Sequence, residues 1–121
     1  REGDAAARDP VVRQALAQCW IEAEALRLTG LRSITRRLRG QPPGPEGSVL
    51  KLTFAEAYVR MAETAAQVLG PHVALWRGSP RAVDGGRWAF QTLFARRFPI
   101  AGGTSDIQRN IIGERILGLP R

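Results

Sequence analysis

The chain has 121 residues, 44% of them hydrophobic and 24% charged, with 18 basic side chains against 11 acidic ones and a net charge of +7. That length allows one domain around one core and excludes a complete two-domain enzyme. A mean hydropathy of −0.19 without a long uncharged stretch excludes a membrane span and describes a soluble globular chain. After a short lead from Arg1 to Arg8, Asp9-Pro10 reads as an N-cap followed by proline at the first helical position, where its missing N–H costs nothing. The long helix that starts there carries Val12, Leu16, Cys19, Ala23, Leu26, Gly30, Ile34 and Leu38 at three- and four-residue intervals and ends at Gly40. Gln41-Pro42-Pro43-Gly44-Pro45 cannot continue a helix. Gly47 or Ser48 opens a second one, whose stripe of Val49, Leu52, Phe54, Ala55, Tyr58, Met61, Ala62, Ala65, Val68 and Leu69 stops at Gly70-Pro71. A short connection predicts that the two long helices lie antiparallel.

From His72 to Gly85 the periodicity is lost, and a loop with one helical turn is expected. A short helix begins at Gly86, takes an aromatic face from Trp88, Leu93, Phe94 and Phe98, and is stopped by Pro99. Beyond Gly102-Gly103 the last helix is capped by Thr104 or Ser105, with Asp106 at the positive end of its dipole and Gln108 in capping-box spacing to Ser105. Ile107, Ile111, Ile112, Ile116 and Leu117 form its expected buried stripe, and Gly118-Leu119-Pro120 closes it. The reading is all-α: an antiparallel four-helix bundle of two long helices and two shorter C-terminal ones. Two short helices cannot cover both faces of two long ones, so association through the bundle is expected.

One cysteine, Cys19, cannot form an internal disulfide, which points to a reducing, cytoplasmic compartment. One histidine and one cysteine exclude zinc sites of the usual spacing, so no metal site is assigned, and His72 after Gly70-Pro71 reads as a solvated side chain. The basic excess would suit phosphate-rich or acidic partners. Seventeen of the 18 cations are arginine, with Lys51 the single lysine, and Arg enrichment beside Ala and Gly is equally what GC-rich coding produces. Arg77, Arg81, Arg87, Arg96 and Arg97 with Trp76, Trp88 and Phe98 superficially offer a nucleic-acid surface. The helical spacing of Trp88, Leu93 and Phe94 assigns those side chains to the core instead, and no nucleic-acid partner is assigned. Gly102-Gly103 before a helix start suits anion binding, though an ordinary capped loop would use the same residues.

The run from Ile100 through Gly102-Gly103-Thr104-Ser105-Asp106-Ile107-Gln108-Arg109 to Pro120 resembles the closing segment of the acyl-CoA dehydrogenase family. Pro43-Gly44-Pro45-Glu46-Gly47-Ser48-Val49-Leu50-Lys51-Leu52 resembles a loop and helix start of many bacterial members, and Gln67-Val68-Leu69-Gly70 the family's glutamine-to-glycine segment. The resemblance implies that residues 1–121 are the C-terminal helical domain of such an enzyme, without the N-terminal helical and β domains that precede it in the family. A start without Met is consistent with a processing event, an expression boundary or a cut inside something longer, the last being the expectation.

The resemblance further implies FAD as cofactor and α,β-dehydrogenation of an acyl-CoA thioester as the reaction, within fatty-acid metabolism. Thr104, Ser105 and Asp106 would contact the FAD of their own subunit, Gln67 and Gly70 that of a neighbour, and Gly102 and Gly103 would line the substrate side. Pro71 stands where a second glycine is common. Many members carry the catalytic Glu at the position of Gly102, which has no side chain, and Asp106 is sufficiently explained by capping and FAD contact. Other branches place the base on a helix that would precede Arg1, and a non-catalytic subunit of a hetero-oligomeric dehydrogenase is the alternative. No catalytic residue is named. A homo- or hetero-oligomer with an electron-transferring flavoprotein as acceptor is implied, and the 121 residues alone are expected to be inactive.

Overall fold

The computed structural model describes residues 6–42 and 44–120. Four α-helices occur among them, α1 (Pro10–Leu38), α2 (Glu46–Leu69), α3 (Arg87–Phe94) and α4 (Ser105–Arg115), with short 3-10 turns at Ala6–Arg8, Gly70–Ala74, Val83–Gly86 and Ala95–Arg97 and no strand. The fold is all-α, as the periodicity predicts. Pro43 and the first five residues of the expected lead lie outside the described residues.

The start of α1 is the one its sequence specifies: Asp9 Oδ1 accepts from the Val11 and Val12 amides at 2.8 and 3.5 Å, with Pro10 at the first position. The helix ends at Leu38, two residues before Gly40, whose φ of +70° carries the chain out of the helix. α2 begins at Glu46, one residue before the earlier of the two expected starts. Pro45 already has helical angles and offers no side-chain cap, and the Glu46 carboxylate sits at the positive end of the dipole while pairing with Arg36. Further pairs join Cys19 Sγ to Thr64 Oγ1 at 3.7 Å and Glu22 Oε1 to Arg60 Nε at 2.9 Å. Numbers rise on one helix as they fall on the other, so α1 and α2 run in opposite senses.

α2 is the hub, packing against α1, α3 and α4. Its two fully buried residues, Ala55 and Ala62, are seven apart on one face, and with Ala89 and Ala95 they let backbones approach closely. Beside them runs an aromatic chain: Phe54 and Tyr58 meet Phe98, Phe98 meets Phe94, Phe94 stacks on Phe90, and Phe90 reaches Trp76. The Tyr58 hydroxyl donates to Gln91 Oε1 at 2.5 Å, and the Arg97 guanidinium lies 4.6 Å from the Phe94 ring centroid.

Several expectations are corrected. The stretch from His72 to Gly85 holds parts of two 3-10 turns rather than one helical turn. Gly86 caps α3 instead of starting it, and α3 relaxes into a 3-10 turn after Phe94, before Pro99 is reached. Leu93 is 70% exposed, because the face of α3 turned to α2 carries Ala89, Phe90 and Phe94. In α4 only Ile111 and Ile112 of the expected stripe are half-buried, while Ile107, Ile116 and Leu117 are exposed. The α1 stripe is likewise split: Val12, Cys19, Leu26 and Gly30 are covered to some degree, whereas Leu16, Ala23, Ile34 and Leu38 are open.

Candidate functional site

Two stretches carry the candidate residues. The first is the turn into α4. Gly102 and Gly103 have φ of +72° and +94°, left-handed values that side chains disfavour. Their carbonyls are each taken by a side chain: Gln108 Nε2 donates to Gly102 O at 3.1 Å, and Lys51 Nζ, from the second turn of α2, donates to Gly103 O at 2.5 Å. Thr104 is the cap, its hydroxyl accepting from the Ile107 amide at 3.3 Å. The capping box expected of Gln108 with Ser105 does not form, because the Gln108 side chain, only 6% exposed as a residue, is spent on Gly102 O.

Ser105 is the first residue of α4, and its Oγ is buried with no hydrogen-bond partner. Among the described residues no acceptor faces the amides of Gly103 or Thr104. Donors gathered at a helix N-terminus and a buried hydroxyl without a partner can bind the oxygen atoms of a polar ligand. Asp106 is 88% exposed on its side chain and pairs with Arg109 at 3.0 Å, while Arg109 also reaches Glu56. That carboxylate is held at the surface rather than aimed into the loop.

An open groove of about 500 Å³ abuts the carbonyl side of this turn. Gly44, Gly47, Ser48 and Lys51 form one wall, and Gly102, Gln108 and Arg115 the other. Lys51 and Gln108 hold the two loop carbonyls; motif spacing did not single out Lys51 and gave Gln108 a different partner. The one available signal was that Lys51 is the single lysine in an arginine-rich chain.

The second stretch is the end of α2, where Gln67 is exposed and Gly70 caps the helix ahead of Pro71. It is not brought to the first. Gln67 stands sixteen residues beyond Lys51 on the same helix, about 24 Å along the axis at 1.5 Å per residue. Among the described residues no cluster of His, Cys, Asp or Glu could hold a metal ion, and no helix is long and apolar enough to cross a membrane. His72 is exposed in the turn after Gly70. Away from both stretches, the hydrogen bonds that Arg27 donates to the Glu24 carboxylate, reinforced by its charge, raise the Arg27 pKa above its ordinary value.

The family model for the acyl-CoA dehydrogenase C-terminal domain matches residues 1–117. The acyl-CoA dehydrogenase IpdE1 of Mycobacterium tuberculosis is 36% identical over 118 residues, 97% of this chain and 29% of that protein. IpdE1 of Mycolicibacterium smegmatis is 37% identical over 117 residues, 96% of this chain and 27% of the relative. The chain therefore spans less than a third of these relatives. Among solved structures, the ChsE4-ChsE5 complex from Mycobacterium tuberculosis superimposes with a TM-score of 0.85 at 28% identity, over 99% of this chain and 31% of the matched one. Matched over residues 1–117, which include the glycine loop and α4 described above, the chain belongs to the acyl-CoA dehydrogenase family, in which it corresponds to the C-terminal domain.

Proposed function

We propose that the chain is the C-terminal helical domain of a larger FAD-dependent acyl-CoA dehydrogenase that desaturates an acyl-CoA thioester between its α and β carbons. The observation that carries this reading is the set of unpartnered polar groups at the start of α4: the amides of Gly103 and Thr104 and the buried Ser105 Oγ. These fit the oxygen- and nitrogen-rich edge of a flavin dinucleotide. Thr104 and Ser105 would hold FAD in this subunit, with Asp106 adding charge at the rim, and Gly102 and Gly103 would let the thioester approach the backbone. Gln67 and Gly70, about 24 and 28 Å along the helix axis from Lys51, would serve the FAD of a neighbouring subunit. When bound, FAD supplies the acceptor for the β-hydride, and an electron-transferring flavoprotein would take the electrons onward. The free thiol of Cys19 fits a cytoplasmic setting.

Gly102 leaves the α-proton without a base at the loop, so either the carboxylate comes from outside these 121 residues or this subunit supports a catalytic partner. The assembly reading draws on the solved relative being a complex of two named proteins. The test is to purify the dehydrogenase that carries this domain, with any co-purifying partner, and titrate it with acyl-CoA. One reducible flavin per copy of this chain supports the catalytic reading. Flavin reduced only in proportion to a different subunit supports the assembly reading, and a flavin-free protein overturns both.

A further inference from the structure

We propose that Lys51 is a positioning residue: by holding the Gly103 carbonyl, it keeps the Gly103-Thr104 peptide turned so that the Thr104 amide, beside that of Gly103, faces an oxygen acceptor of the bound flavin or thioester. This rests on the reading above that the loop meets those ligands. The described residues contain no cis peptide bond, and a trans peptide points its C=O and N–H in opposite directions. Lys51 Nζ at 2.5 Å from Gly103 O therefore turns the Thr104 N–H away from α2. Gln108 Nε2 at 3.1 Å from Gly102 O does the same for the Gly103 N–H, from the α4 side.

The pair of restraints comes from two elements. Gln108 lies six residues from the carbonyl that it holds and moves with α4, whereas Lys51 lies 52 residues away and is the tie to α2. Glycines with open backbone torsions do not keep two adjacent amides parallel unaided, since each samples positive and negative φ with little penalty. A charged donor on a carbonyl makes a stronger bond than a neutral one and suits a tie that must survive ligand exchange. Neither amide has an acceptor among the described residues, so both are available to a ligand. Lys51 thus acts through the backbone and need not touch the reacting atoms.

The test uses Lys51→Met and Lys51→Arg in the FAD-loaded dehydrogenase that contains this chain. Lys51→Met should keep its flavin content and melting behaviour while kcat falls about 10- to 100-fold, the scale of a small misplacement, and the flavin absorption change on thioester binding should shrink. Lys51→Arg, still a donor, should recover most of both. Wild-type spectra and turnover in Lys51→Met would overturn the proposal, as would a loss that only follows the fraction of unfolded protein. Hydrogen exchange of the wild type provides a readout independent of the variants. The Gly103 and Thr104 amides should be slowed on ligand binding, and unchanged exchange overturns the proposal even where Lys51→Met fails to fold. Should the wild type hold no flavin, the functional reading fails by itself, and faster, heterogeneous exchange at the loop in Lys51→Met would still report on the tie to α2.

Discussion

An added Cβ at Gly103 would lie 2.7 Å from Gln108 Nε2, whereas one at Gly102 would meet nothing within 4 Å. Both positions carry left-handed φ, so alanine at either costs about 1–2 kcal/mol from backbone strain. At Gly103 the buried Gln108 amide must also move, loosening its bond to Gly102 O, which adds about 1 kcal/mol. Urea denaturation should therefore give Gly103→Ala a lower midpoint than Gly102→Ala, with unchanged slopes; equal midpoints would mean that Gln108 shifts freely. The glycine pair was legible because two glycines before a capped helix are a local signal. Lys51 was not, since its partner lies 52 residues away and no spacing rule reaches so far. Gln108 misled for the opposite reason: a Gln three after Ser105 matches a local motif, but a tertiary carbonyl won its side chain.

Helix starts and stops are set by neighbours in sequence, and the elements read best where those neighbours carry a side-chain cap or a glycine. The Asp9 carboxylate holds two amides of α1, so Asp9→Ala should cost about 1 kcal/mol, while Asp9→Asn keeps most of that stability. Thermal melts of the two variants in parallel check this, and equal melting temperatures for Ala and Asn would leave α1 without a functioning cap. α2 starts earlier than expected because Pro45 adopts helical angles with no cap hydrogen bond to announce the boundary. The stretch after Gly70 was illegible for a related reason. It is held by backbone turns such as Ser79 N to Trp76 O and Ala82 N to Ser79 O, and by the Trp76–Phe90 ring contact, none of which leaves a period in the sequence.

At the scale of the molecule, the accessible surface of 8740 Å² is large for 13.3 kDa. A compact monomer of that mass exposes about 6,500 Å², so about 2,300 Å² more is open here, well beyond the roughly 800 Å² per partner of a standard interface. An apolar row lies open along one face of α1. Trp20 is 69% and Leu38 83% exposed, with Leu31 and Ile34 between them and the exposed Leu16 one turn before Trp20, while the covered side carries Val12, Ala15, Cys19, Glu22, Leu26 and Ser33. Periodicity identified a stripe on α1 but not which helix covers it, because α1 has two apolar edges and one sequence cannot say which faces its own chain. A second protein surface over Trp20, Leu31 and Ile34 would resolve this, since isolated exposed leucines need no explanation but a continuous row does. Leu31→Glu with Ile34→Glu should therefore leave helix content unchanged, as both sites are open in the single chain, and shift the assembled protein to smaller species in sedimentation. If the double variant sediments as the wild type does, α1 faces water in the assembly and the excess surface must be covered elsewhere, with the exposed Ile107, Ile116 and Leu117 of the C-terminal segment as the next face to test.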